Sequence, residues 1–253
     1  MIGCIVQVRM SSSRLPGKVL KKLDENKTVL DYVIDQVSYC KLIDKIIIAT
    51  TNEKEDDKII EFAKNRKLDY FRGSSKDVLD RYYQCAKKFN LTTIIRITSD
   101  NPLNDPIIID ELIQKFLDED YDYATNELKR TFPQGIFVQI YSNQALENSW
   151  RHARLPSERE HVSPYIEKNK NKFNILNLEY HKDLSYLRFT IDSEEDLKFV
   201  KEIIKRIKNL PINMEEIIGI CENEKKLVQI NKNYILDEGY KISIKEDEEF
   251  EKK

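Results

Sequence analysis

Residues 2–20 read IGCIVQVRMSSSRLPGKVL, and the fold of this chain turns on how that stretch is read. Ile2 to Val8 has apolar side chains on both faces of an extended segment, the pattern of a strand buried on both sides. The apolar run then gives way to a loop with cations at Arg9, Arg14 and Lys18 and hydroxyls at Ser11, Ser12 and Ser13. Pro16-Gly17 bends the loop before Lys18-Val19-Leu20 turns apolar again. A strand that runs out into a small-residue, cationic loop is a means by which α/β proteins hold phosphate: backbone N–H groups and hydroxyls donate, and Arg and Lys balance the charge. The same residues also fit a solvated basic turn. Position favours phosphate, because open α/β sheets bind ligands in the loops at the carboxyl ends of their strands.

The rest of the chain continues the α/β rhythm. Val29 to Ser38 is apolar at helical spacing, and Lys45 to Thr50 reads as a second buried strand ending in Thr50-Thr51-Asn52. A helix follows from Asp56 to Asn65, then a short edge-like strand from Leu68 to Gly73 and a helix from Asp77 to Phe89. Thr93 to Thr98 is the third strong strand, stopped by Ser99-Asp100-Asn101-Pro102, and Pro106 opens the next helix. Strands alternating with such helices predict a three-layer α/β fold with a mostly parallel sheet. Right-handed crossovers then gather residues 9–18, 50–52, 73–75 and 99–105 on one rim.

Beyond Tyr121 the rhythm changes. Residues 123–125, 135–141 and 173–178 read as strands, with one helix near 143–150 and another over 158–168. Leu187 to Asp192 reads as a returning strand, and Ser193-Glu194-Glu195-Asp196 fits a capping box at the head of a helix. Met214 to Cys221 reads as a short helix, and the charged tail from Lys245 to Lys253 is expected to fray. Neither repeats nor a clear linker divide the 253 residues, so a single domain is expected.

Composition narrows the partners. Apolar residues make up 40% and charged residues 34%, enough for a core beneath a strongly charged surface. A net charge of −2 leaves nothing global to attract nucleic acid or membrane, so anion binding must be local. Cys4, Cys40, Cys85 and Cys221 form no C-x-x-C pair and read as buried thiols rather than metal or redox groups. No secretion signal, long apolar span or lipidation motif is seen, and a cytoplasmic location is expected.

Two carboxylates stand out, each at the end of a predicted strand. Asp100 follows Ile97-Thr98-Ser99, where a side chain reaches over the rim toward the first loop, although a turn aspartate reads the same way. Asp192 precedes a helix, where a cap is the ordinary role. Two carboxylates converging on a phosphate loop would make a Mg²⁺ site, with hard oxygen ligands and the remainder supplied by water and phosphate.

Residues 9–18, RMSSSRLPGK, resemble the signature loop of the CMP-sugar synthetase superfamily of cytidylyltransferases. They are most similar to the spore-coat-polysaccharide type, related to the sialic acid and 3-deoxy-manno-octulosonate cytidylyltransferases. The spacing is neither that of a Walker loop nor G-x-G-x-x-G. The resemblance extends over roughly residues 1–200. It implies the nucleotide-diphospho-sugar transferase fold, a nucleotide-binding half over residues 1–120 and an acceptor and dimer region over 121–185. Residues 186–222 would return to the main sheet, with 223–253 as an extension. Ser99-Asp100-Asn101-Pro102-Leu103 and Thr190 to Leu197 resemble the family's metal-binding segments, implying Asp100 and Asp192 as Mg²⁺ ligands. It further implies that Val8, Arg9, Met10, Ser11, Ser12, Arg14, Lys18, Thr50, Arg72, Ser74, Asp77 and Ser99 hold the nucleotide, with Arg9, Lys18 and Asp100 acting in catalysis. Without the resemblance, Asp77 reads only as a helix cap and Arg81 as part of a solvated face.

Glu158 to Tyr165 resembles the stretch that lies at the acceptor pocket in this branch. His161 and Arg159 there suit an anionic acceptor, since Arg grips carboxylate or phosphate bidentately. Gln134, Phe137 and Gln139 belong to the same expected pocket. Here the chain departs from the branch, which has an Asp two residues after the Gly and a Glu two further on. This chain has Phe137 and Gln139. The expected activity is Mg²⁺-dependent transfer of CMP from CTP to a 2-keto sugar acid, a polyol phosphate or a related surface-glycan precursor, by a homodimer. Two rivals stand beside it. A glycosyltransferase of the same fold would place Asp-x-Asp where this chain has Ser99-Asp100-Asn101, and a non-catalytic nucleotide-binding relative would have a damaged loop or lost carboxylates.

Overall fold

The computed structural model describes residues 1–252. Seven strands form one sheet: β1 (Ile2–Gln7), β2 (Lys45–Thr51), β3 (Asp69–Gly73), β4 (Thr93–Thr98), β5 (Tyr123–Thr125), β6 (Gln139–Ser142) and β7 (Ile175–Asn177). Their order across the sheet is β3-β2-β1-β4-β6-β5-β7. Only β6 runs against its neighbours β4 and β5, and the other pairs are parallel. The chain moves outward from β1 through β2 to β3 and then returns to β4 on the other side of β1. The carboxyl ends of β1 and β4 therefore flank the point where strand order reverses, and ligands bind at such a point.

Strand residues alternate between two helix layers. Cys4, Val6 and Val8 pack with Ile48, Ile95 and Ile97 beneath α1 (Val29–Ser38), α2 (Asp57–Asn65) and α4 (Pro106–Asp118). The same layer holds α8 (Glu194–Ile204) and α9 (Met214–Asn223). Ile5, Ile47, Ala49 and Ile94 face the other layer, built from α3 (Val78–Lys88), α5 (Asn143–His152) and α7 (Pro164–Lys168), with α6 (Pro156–His161) lying against α3 and α7. Local chemistry starts the helices as expected. Thr28 with Asp31 and Ser193 with Asp196 form capping boxes, and Asp105 caps α4 with Pro106 at its first turn.

Four expectations need correction. The segment 187–192 is not a paired strand: it meets the molecule through an isolated bridge from Arg188 to Gln134 and a bond from Ile191 N–H to the Asp100 carbonyl at 2.9 Å. The run 135–141 pairs only from Gln139 onward. The helix expected over 158–168 breaks at Val162, whose φ of +72° leaves the helical region, and Pro164 starts a new turn. The tail does not fray over the described residues. Helix α10 (Glu238–Glu251) packs on α6, where Asp247 accepts from Ser157 N–H at 2.8 Å and Ser157 Oγ at 2.5 Å. Among the described residues, no helix is long and apolar enough to cross a membrane.

Candidate active site

The β1 strand ends in a loop held by its own backbone and by Asp56. Gly17 N–H and Ser12 N–H donate to the Met10 carbonyl at 3.0 and 2.9 Å, and Gly17 takes φ +67° to close the turn. The buried Asp56 carboxylate accepts from Met10 N–H at 2.8 Å and from Thr51 N–H at 3.2 Å, and it also takes the Thr51 hydroxyl. One carboxylate thereby locks the loop to the end of β2. Nothing in the sequence separates Asp56 from an ordinary aspartate at a helix start.

The loop delivers Lys18 into the sheet's switch point, nearly buried at 8% exposure. Its ammonium donates to Asp100 Oδ2 at 2.8 Å, Asp192 Oδ1 at 2.8 Å and the Ile191 carbonyl at 2.7 Å. Arg14 adds a second cation on Asp192 Oδ1 at 2.6 Å, and its other arm reaches Glu238 at 3.2 Å. Burial opposes charge on Asp100, but the adjacent Lys18 outweighs it and holds the carboxyl below the usual carboxylate range. Burial likewise opposes charge on Lys18, yet the two carboxylates raise its pKa overall.

Asp192 is held from behind. The buried Arg188 donates to Asp192 Oδ2 at 2.8 Å, to both oxygens of Asp196 at 2.9 and 3.0 Å, and to Gln134 Oε1 at 3.0 Å. Its guanidinium lies 4.7 Å from the Tyr234 ring centroid. Arg188 escaped the sequence reading because an Arg within Leu187 to Ile191 carries no spacing signal.

The remaining expected nucleotide residues divide into two groups. Val8, Met10 and Ser12 lie along the locked loop, Ser11 is exposed on it, and Arg9 meets Glu160 at 3.3 Å. Ser99 lies at the switch point, its N–H on the Gln7 carbonyl at 3.2 Å. Thr50 is fully buried, with its hydroxyl unpartnered among the described residues. Arg72, Ser74 and Asp77 instead secure local structure. Arg72 donates to the Thr51 and Glu53 carbonyls at 2.8 Å each and to Asp57 at 2.6 Å. Ser74 accepts from Asp77 N–H at 3.0 Å, and Asp77 caps α3 through Asp80 N–H at 2.8 Å. Arg81 is not on a solvated face: it is fully buried, and none of its guanidinium nitrogens has a partner among the described residues.

Of the expected acceptor residues, Gln134, Phe137 and His161 line a cleft of about 270 Å³ together with Asp100, Asp192 and Arg14. Gln139 and His161 line an adjoining cavity of about 540 Å³ that shares Glu127, Asp237 and Tyr240 with the cleft. Arg159 lines neither, because its guanidinium is engaged by Asp77 at 2.8 Å and by the Trp150 carbonyl at 2.9 Å. His161 contacts Ser243 Oγ of α10 at 3.0 Å, and burial, aided by the Arg96 charge, pulls its pKa down to about 4.

Among the described residues, no cluster of three or more His, Cys, Asp or Glu is arranged to hold a metal. The donor set at Lys18 still fits a hard cation. Two carboxylates from different elements already converge on one positive charge, which leaves most positions of a Mg²⁺ shell to water and phosphate.

Comparison with known proteins identifies the family. Residues 3–242 match a family model described as cytidylyltransferase. The chain is 35% identical to an uncharacterized protein of Methanocaldococcus jannaschii, over 90% of this chain and 93% of that one. It is 33% identical to the spore coat polysaccharide biosynthesis protein SpsF of Bacillus subtilis, over 85% and 92% of the two chains. A solved cytidylyltransferase from Leptospira borgpetersenii superposes with a TM-score of 0.88 at 33% identity, covering 92% of this chain and 99% of its own. The chain belongs to the cytidylyltransferase family of nucleotidyltransferases.

Proposed function

We propose that this protein transfers CMP from CTP to an oxygen of a small anionic acceptor, a 2-keto sugar acid or polyol phosphate used in surface-glycan synthesis, and releases pyrophosphate. The observation that carries the reading is the convergence of Lys18, Asp100 and Asp192 beneath the cationic loop at the switch point. In the reaction, the acceptor oxygen forms a bond to the α-phosphorus while the bond to the β-bridging oxygen breaks. The acceptor proton leaves to solvent, and pyrophosphate departs. Arg9, Arg14 and Lys18 neutralise the β and γ phosphates, and the locked backbone from Met10 to Gly17 fixes where they lie. Asp100 and Asp192 would hold Mg²⁺, which supplies charge neutralisation at the phosphates. The cleft of Gln134, Phe137 and His161 adjoins the carboxylates and is the place for the acceptor. Assembly as a homodimer belongs to the same reading.

Pyrophosphate release from each of the four nucleoside triphosphates, with Mg²⁺ and a panel of sugar acids and polyol phosphates, tests the proposal. CTP-dependent release is expected, falling by about 1,000-fold in Asp100→Ala. Failure to bind any triphosphate, or release of a nucleoside diphosphate from a nucleotide sugar, would overturn it.

A further inference from the structure

We propose that the acceptor carries an amino group as well as its acid group, with the ammonium seated against Glu127 and Glu167 and the acid against Arg96. The inference rests on the cytidylyl-transfer reading and concerns the 540 Å³ cavity beside the cleft.

The charges on the cavity wall do not cancel in place. Arg130 is paired with Asp237, one of its terminal nitrogens reaching both carboxylate oxygens at 2.8 and 2.9 Å. Among the described residues Arg96 has no carboxylate partner: its two terminal nitrogens donate to the amide oxygens of Gln139 at 2.9 Å and Gln7 at 3.3 Å. Its Nε is buried with no partner among the described residues. On the carboxylate side, Glu127 accepts from Gln139 Nε2 at 2.8 Å and Glu167 from the Tyr123 hydroxyl at 3.2 Å, both neutral donors. The Gln139 amide stands between Arg96 and Glu127 and bonds to both, which prevents the two charges from meeting. Tyr141 steadies the same amide from the sheet face, its hydroxyl donating at 2.6 Å.

A partly desolvated cation and two carboxylates with no direct ion-pair partner among the described residues make a cavity that gains most from a ligand bearing both signs. A purely anionic ligand would satisfy Arg96 but face Glu127 and Glu167 across the cavity. A purely cationic one would leave Arg96 unmatched. A zwitterion answers both, and charge-assisted hydrogen bonds at each end fix its direction relative to the cleft.

The test uses acceptors in matched pairs, 2-keto-3-deoxy sugar acids and polyol phosphates differing only by an amine in place of a hydroxyl. Pyrophosphate release from CTP is followed for each, and CTP affinity is measured separately by calorimetry. The amino member of at least one pair is expected to show a kcat/KM higher by about tenfold or more. Glu167→Gln, and independently Glu127→Gln, should bring that ratio close to one while CTP affinity is retained. Equal use of both members, preference for the hydroxyl, no use of any amino member by a protein that binds CTP, or a preference that survives both variants would overturn the inference. Loss of CTP binding in the unaltered protein would instead overturn the cytidylyl-transfer reading beneath it.

Discussion

Lys18 holds two positions at once, as an ammonium shared by two carboxylates and as the last cation of the loop that follows β1. In a nearly dry setting these roles support each other, because each carboxylate keeps Lys18 charged and Lys18 keeps Asp100 ionised. The segment that brings Asp192 to it is fixed by Gly135. A Cβ there would come within 2.5 Å of Thr190 N and 2.8 Å of the Phe189 carbonyl carbon, and φ is +97°. Only glycine satisfies both constraints. Gly135→Ala should cost about 2 kcal/mol or more of stability, read as a lowered urea midpoint, because neither the backbone nor the neighbour has room to yield. Phe137 and Gln139 stood out in the sequence as departures from a pattern, but their surroundings did not. The partners of Gln139 come from β4, from its own strand and from the segment after β5, so no local spacing announces them.

At the scale of elements, α10 does most to revise the sequence reading. Its composition is that of a solvated tail, and a helix so charged does not bury itself by hydrophobicity. What holds it is specific: Asp247, 6% exposed, takes both the N–H and the hydroxyl of Ser157. Asp247→Ala removes both acceptors and leaves the Ser157 N–H buried without a partner. A stability loss of about 2–3 kcal/mol is expected in chemical denaturation. Because α10 begins at Glu238, which reaches Arg14, and carries Tyr240 into the cleft, the same variant should raise the acceptor KM more than that for CTP. The central strands were legible because β1, β2 and β4 are buried on both faces, which produces unbroken apolar runs. Residues 187–192 misled for a related reason. They are apolar because they are buried, but what buries them is a loop and helices rather than a ladder of strand partners.

For the whole molecule, the junction of sheet, α6 and α10 sets an acid limit. His161 sits there with a folded-state pKa lowered to about 4, against about 6.5 in an unfolded chain. Between those values the unfolded state binds the proton and the folded state does not, so stability rises with pH through the window and is lost as pH falls through it. A loss on the order of 2 kcal/mol is expected between pH 7 and pH 4, with a flatter profile in His161→Gln, measured by urea denaturation at each pH.

What the sequence determined by itself was the class of fold, the cationic loop that follows β1 and the aspartate that follows β4. Each is written in contiguous residues whose periodicity or spacing reflects local backbone physics. The tertiary structure alone decided that Lys18 lies between Asp100 and Asp192, that Arg159 is engaged by Asp77 outside the cleft, and that Gln139 separates Arg96 from Glu127. Those arrangements join residues far apart in the chain, and the strand order and the burial it imposes determine which charges meet and which are left for a ligand.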